Sequence, residues 1–154
     1  MRVLSLFDGC SMAKVALDKL GIKSEYYASE IDKYAVKVSE ANHPDIIRLG
    51  DVTKWREWDI PRPDLIIAGS PCQGFSFAGK QLNFDDPRSK LFFDFAQILK
   101  HYRPKYFLLE NVRMKQEHQD LITGFLEAID PVEINSGLVS AQNRKRLYWT
   151  NIPN

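Results

Sequence analysis

The chain has 154 residues, 44% of them hydrophobic and 27% charged, with 21 Lys and Arg against 20 Asp and Glu. Those proportions exclude a disordered, collagen-like or coiled-coil chain and make one domain the expectation. No apolar run approaches the roughly 18 residues of a membrane span, so no membrane partner is expected. A net charge of +1 means that any nucleic-acid footprint must be local. Two cysteines, Cys10 and Cys72, are too few for a disulfide framework and fit a reducing, intracellular setting.

The opening MRVLSLFDG has too short an apolar stretch for a secretory leader, and residues 3–7 read as a first strand that stops at Asp8-Gly9. Residues 12–20 place Met12, Val15, Ala16 and Leu20 at helical spacing, closed by Gly21. A second strand is predicted over 25–30, a helix over 32–41 that stops at His43-Pro44, and a short third strand over 46–49. DLIIAG, 64–69, is a fourth and strongly apolar strand. Residues 70–88 are rich in Gly and Ser and show little periodicity, and an amphipathic helix follows over 89–101. YFLLE, 106–110, is a fifth strand. A helix over 116–129 and late strands over 132–134 and 146–150 complete the chain. This alternation predicts an α/β fold with a mainly parallel sheet flanked by helices. Ligands of such sheets bind beyond the carboxyl ends of the strands. Asp8-Gly9, Glu30, Asp51, Ser70-Pro71-Cys72 and Glu110-Asn111 all fall at those ends.

Each of these positions has a bland reading beside a chemical one. Gly9 in the strand-to-helix turn lets backbone approach a ligand, although any such fold needs a turn there. Glu30 can accept the hydroxyls of a ribose, or it is a solvated strand end. Asp51 can accept from an adenine amino group, or it caps a short helix. Cys72, in a loop bounded by Pro71 and Gly74, is poorly placed for core packing and well placed for a reactive thiolate, although a structural Cys fits as well. Glu110 closes an apolar strand, where a carboxyl group must be paired or protonated, and a protonated one can donate to a ring nitrogen. In QNRKR, residues 142–146, alternation puts Arg144 and Arg146 on one side and Lys145 on the other. Arg88, Lys90, Lys100, Arg103 and Lys105 add positive charge that could meet phosphates.

FDG, ASE, GDV, GSPCQGFS, LLENV and QNRKR occur in that order. The set resembles the ordered motifs of the DNA (cytosine-5)-methyltransferases, in detail those of bacteria and bacteriophages, with some likeness to the de novo enzymes of animals. The resemblance covers nearly the whole chain and implies a Rossmann-like methyltransferase fold. It implies S-adenosyl-L-methionine as cofactor, S-adenosyl-L-homocysteine as product and double-stranded DNA as partner, in the cytoplasm of a bacterial or phage-infected cell. No metal is implied. By resemblance Cys72 is the nucleophile that adds to carbon 6 of cytosine. Glu110 bonds N3 and the exocyclic amine, Arg146 contacts O2, and Arg144 shapes the same pocket. Phe7, Asp8, Gly9, Cys10 and Ser11 surround the methionine part of the cofactor. Glu30 takes the ribose hydroxyls, Ile31 packs on adenine, Asp51 with Val52 holds the adenine edge, and Pro71 fixes the loop. Residues 73–80 belong to a segment that closes over DNA, and the target base is flipped out of the helix.

The sequence departs from the family pattern in two places. Ala13 stands where the first turn usually ends in Gly, with Lys14 beside it. The family pattern also continues, with a target-recognition region and a last motif, where this chain ends at Asn154. The expectation is a catalytic domain over 1–154 without that region, and three readings stay open: a fragment of a longer enzyme, half of a split enzyme completed by a second chain, or a non-catalytic subunit. If the first and fourth strands lie side by side, Cys10 and Cys72 fall at neighbouring strand ends, within reach of oxidation.

Overall fold

A computed structural model of the chain describes residues 1–69, 87–127 and 129–153. Among them, seven strands form one sheet: β1 (Arg2–Leu6), β2 (Glu25–Ser29), β3 (Ile47–Arg48), β4 (Leu65–Ala68), β5 (Tyr106–Val112), β6 (Val132–Asn135) and β7 (Lys145–Thr150). Their spatial order is β3-β2-β1-β4-β5-β7-β6. The first five strands in that order run parallel, whereas β7 is antiparallel to β5 and β6 antiparallel to β7. Helices α1 (Met12–Lys19), α2 (Lys33–Asn42), α3 (Pro87–Tyr102) and α4 (Gln116–Phe125) flank the sheet, giving the expected Rossmann-like α/β fold.

The central strands are apolar because both of their faces are covered. Val3, Leu4 and Leu6 of β1 and Ile66 of β4 have no exposed surface. On one face Leu4, Leu6, Ile66, Leu109 and Trp149 pack with Phe92, Phe95 and Ile98 of α3 and Ile122 of α4. On the other, Val3, Tyr26, Ala28 and Leu65 pack with Leu17 of α1. Burial alternates along β5 and β7. Phe107, Leu109, Leu147 and Trp149 are buried, and the alternate residues Tyr106, Leu108, Arg146 and Tyr148 are half-buried.

Element bounds differ from the sequence reading in three instructive places. Helix α3 begins at Pro87, two residues early, with proline at the first helical position, where its missing N–H is not needed. Helix α4 stops at Phe125 rather than running to 129. The Leu126 N–H is shared between the Ile122 and Thr123 carbonyls, and Glu127 takes a left-handed φ of 57°. Residues Val52–Glu57 form a 3-10 helix capped by Asp51.

Helix α3 turns Asp94 inward. The residue is 5% exposed, and its Oδ2 has no hydrogen-bond partner among the described residues. Burial lifts its carboxyl above the ordinary carboxylate range, opposed by the charges of Lys90 and Arg56. A folded-state value above the unfolded one favours the fold while the proton is on, and that advantage is lost as pH rises through the folded value. Asp94→Asn is therefore expected to stabilise the chain by about 1 kcal/mol near neutral pH and to lose the gain by about pH 3. Urea unfolding of both proteins at the two pH values checks this, and an equal difference at both overturns it.

Candidate active site

The carboxyl ends of β1 to β5 share one edge of the sheet, and hydrogen bonds lace their exits sideways. Gly69 donates its N–H to the Leu6 carbonyl at 3.4 Å, and Asp8 to that of Ser29 at 3.2 Å. The Ser29 hydroxyl donates to the Gly50 carbonyl at 2.7 Å. The turns after β4, β1, β2 and β3 are thus tied in a row.

The turn after β1 alternates in handedness. Phe7, Gly9 and Ser11 have φ values of 57°, 57° and 62°. Left-handed backbone costs a residue with a Cβ roughly 1–2 kcal/mol, so Phe7 and Ser11 need outside support. A Cβ on Gly9 would meet nothing within 4 Å, so the turn is open there. The Gly9 N–H reaches Glu30 Oε2 at 2.8 Å, while Ile31 and Asp32 donate to Oε1 at 2.8 and 2.9 Å. A carboxylate offers about four lone-pair sites. Three are filled by main chain, and one on Oε2 is left for a ligand. Ile31 beside it is 74% exposed, an apolar side chain without cover. Asp51 Oδ1 accepts from the N–H and hydroxyl of Thr53, both at 2.9 Å, and these bonds hold its carboxyl below the ordinary range. Asp51 therefore caps the 3-10 helix, and its second oxygen is unbonded among the described residues.

Three residues expected around the cofactor use their side chains internally. Val52 is 5% exposed and part of the core, so only its backbone can face a ligand. Ser11 has no exposed surface, and both oxygens of Asp8 are taken, by the Tyr26 phenol at 2.7 Å and the Ser11 hydroxyl at 2.5 Å. Burial first, and the Asp8 charge next, push the Tyr26 phenol far above its ordinary value, so it stays a donor. Cys10 is exposed with a free thiol. Lys14, out of place in the sequence pattern, is buried along its stem and ion-paired with Asp18 at 2.6 Å and Asp45 at 3.7 Å.

The other half of the edge is a carboxylate between two guanidinium groups. Arg144 Nη2 and Arg146 Nε each lie 3.2 Å from Glu110 Oε1. The pairing of β5 with β7 sets Glu110 opposite Tyr148 and Val112 opposite Arg146, so all three charged side chains share one face, which alternation predicted for the two arginines. Glu110 Oε2 lies 4.0 Å from where a Cβ on Gly69 would sit, beside the exit of β4. Burial, and then the Glu110 charge, raise the Tyr148 phenol next to it. Cys72, Pro71 and the 73–80 segment lie outside the described residues.

One part of the basic footprint separates from the site. Lys100 and Arg103 sit at the end of α3 and Lys105 precedes β5, so all three fall at the amino edge of the sheet, opposite Glu110. Helix α3 runs antiparallel to the strands, and its last turn therefore cannot reach the carboxyl edge. Sequence reasoning in turn missed Tyr26, Ser39 and Arg48, which surround the first turn. A small polar residue, Ser39, at a buried position of α2 was the only available signal.

Fold and edge define a Rossmann-like domain with an open glycine turn and an arginine-held acid at its ligand-binding edge. Residues 1–132 match the C-5 cytosine-specific DNA methylases, and the chain belongs to that family. It is 40% identical to the type II methyltransferase M1.ScrFI of Lactococcus lactis subsp. cremoris, over 96% of this chain and 40% of that protein. It is 40% identical to the orphan methyltransferase M.SPRI of Bacillus phage SPR, over 99% and 38% of the two chains. Against the type II methyltransferase M.HhaI of Haemophilus parahaemolyticus the identity is 40%, over 78% and 36%. The chain thus spans about two fifths of the length of these curated relatives. Among the described residues no helix is long and apolar enough to cross a membrane.

Glu30→Gln tests the first turn without any ligand. One carboxylate oxygen becomes an NH2 donor that faces backbone N–H donors on either side. The substitution is expected to cost about 1–3 kcal/mol in urea unfolding. An unchanged midpoint would mean that these bonds are not held in solution.

Proposed function

We propose that the chain is the catalytic portion of a DNA (cytosine-5)-methyltransferase, acting on cytosine in double-stranded DNA with S-adenosyl-L-methionine as methyl donor. The observation that carries this reading is Glu110, clamped on Oε1 by Arg144 and Arg146, with Oε2 beside the end of the strand that leads into SPCQG and accepting no bond among the described residues.

The cofactor fits the residues present. Gly9 leaves room for the methionine part, Glu30 has one unfilled acceptor site for a ribose hydroxyl, Ile31 offers an uncovered apolar side chain to adenine, and Asp51 has a free oxygen for its amino group. The backbone of Phe7, Asp8, Cys10 and Ser11 frames that space, with Val52 contributing main chain and Pro71 setting the neighbouring loop. When bound, S-adenosylmethionine supplies an electrophilic methyl group and leaves as S-adenosylhomocysteine.

The chain's own residues do the rest. Carbon 5 of cytosine is a poor nucleophile within an aromatic ring. The Cys72 thiolate adds to carbon 6, which breaks the aromaticity and builds electron density at carbon 5. Glu110 bonds N3 and the exocyclic amine and places a proton at N3, so that the added electron pair is not carried as full charge. Arg146 contacts O2, and Arg144 holds the acid in line. After the methyl group is accepted, the carbon 5 proton is lost to solvent, the thiolate is expelled, and the N3 proton returns to Glu110, giving 5-methylcytosine and free enzyme. A base inside a duplex cannot meet Cys72, so it is flipped out. The bacterial and phage relatives support a cytoplasmic setting and a role in restriction-modification or orphan methylation. Their greater length supports placing target recognition beyond these 154 residues, on the same polypeptide or on a second chain.

Duplex DNA carrying 5-fluorocytosine tests the reading, because fluorine does not leave as a proton does. With S-adenosylmethionine, a denaturation-resistant adduct at Cys72 is expected by mass spectrometry. Cys72→Ala should lose the adduct and keep cofactor binding. Turnover retained in that variant overturns the nucleophile. An adduct seen only when the remainder of a relative is supplied in trans selects the split arrangement, and none under either condition overturns catalysis by this chain.

A further inference from the structure

The left-handed turn that frames the proposed cofactor space has an anchor far from it in sequence. Arg48, at the end of β3, places Nη2 2.9 Å from the Ser39 hydroxyl on α2. Ser39 Oγ lies 2.6 Å from Ser11 Oγ, and Ser11 Oγ lies 2.5 Å from Asp8 Oδ2. Ser11 has no exposed surface and Ser39 is 3% exposed, so protein groups are their partners.

The direction of this relay follows from proton counting. A carboxylate only accepts and a guanidinium only donates. Ser11 must therefore use its single hydroxyl proton on Asp8, which leaves its oxygen to accept from Ser39. Ser39 has then used its own proton, and its oxygen accepts from Arg48. The chain of donors runs one way, from guanidinium to carboxylate, and amounts to an ion pair stretched across two buried hydroxyls. Such chains polarise in the same sense and strengthen each other. Arg48 is itself fixed, with Nη1 at 2.9 Å from the Ile46 carbonyl and Nη2 at 3.1 Å from that of His43. The second oxygen of Asp8 is held by Tyr26, so this carboxylate cannot turn outward.

We infer that Arg48, acting through Ser39 and Ser11, is a positioning residue for the cofactor turn. It holds Ser11 and Asp8 in the alternating left-handed backbone that keeps Gly9 open toward the amino-acid end of the cofactor. The inference rests on the cofactor reading above and adds to it the residues that keep that turn in shape. Arg48 ends β3, but its guanidinium is bonded to Ser39 and to the carbonyls of His43 and Ile46, and among the described residues neither it nor Ser39 bonds Glu30, Ile31 or Asp51, so their effect is selective. Loss of the relay loosens the part of the site that meets the amino acid, while Asp51 and Ile31, which face the adenosine, keep their places.

The 154-residue chain with Ser39→Ala or Arg48→Met is titrated with S-adenosylhomocysteine and with adenosine by calorimetry. Backbone amide exchange at residues 8–11 is measured without ligand. Alanine suits the helix at position 39 and methionine keeps the aliphatic bulk at 48, so the relay is broken from its middle and from its end. Both variants should bind S-adenosylhomocysteine about tenfold more weakly, hold adenosine within about twofold, and exchange the amides of Gly9 to Ser11 faster. Unchanged affinity and exchange overturn the inference. So does an equal fall for both ligands, which would make the relay a general support of the fold. Failure of the unsubstituted chain to bind S-adenosylhomocysteine overturns the cofactor reading, and this inference with it.

Discussion

The structure depends on the pairing of one short strand. Arg2–Leu6 is hydrogen-bonded on both sides by parallel neighbours, β2 and β4, and its apolar residues are enclosed by helices on both faces. Parallel pairing on both sides has a geometrical consequence. Every strand that joins in the same sense ends at the same edge, and each must return by a crossover of its own. The acids, glycines and arginines of the site come together because the core demands that arrangement, and no contact among them is needed to assemble it.

That logic explains what could be read from the sequence. Continuous apolar runs such as LIIA and YFLL announced buried parallel strands, and the polar residues after them marked the edge. Alternation put Arg144 and Arg146 on one side; that this is the side of Glu110 follows only from the pairing of β5 with β7. What could not be read was long-range and polar. Nothing local says that Asp8 faces Tyr26 and Ser11 instead of solvent, or that Ser39 on α2 bridges to Arg48, because those contacts exist only after two crossovers have stacked α2 beside the first turn. The last turn of α4 was misjudged for a local reason of the opposite kind. Helical periodicity continued to Ile129, but a left-handed residue at Glu127 ended the helix first. The edge occupied by the basic residues at the end of α3 could not be read from the sequence, because the direction of α3 decides it.

The two acids at the ligand edge are stabilised by different means. Glu30 is held by main-chain N–H groups from three residues, which fix its orientation without any positive side chain. Glu110 is held by two guanidinium groups on a single oxygen, and its other oxygen accepts no bond among the described residues. The first arrangement suits an acceptor that must stay in place while neutral hydroxyls come and go. The second suits a group that works on a polar ring edge, where proton position matters. The laced exits of β4, β1, β2 and β3 keep the turn that meets Glu30 in line with the exit of β4, beside which Glu110 lies.

The alternating burial of β5 and β7 bears on the fidelity of the site. Side chains alternate along a strand, so sliding β7 by a single residue would reverse every one of them. Trp149 and Leu147 would swing out to water, and Arg146 would be driven into an apolar interior without a partner. The tryptophan, with no exposed surface and its indole N–H bonded to Thr123 at 3.0 Å, accepts only one alignment. It acts as a key in a lock whose bolt is the Arg–Glu–Arg cluster on the opposite face. A residue buried in the core thereby decides whether the charged groups arrive at the edge at all.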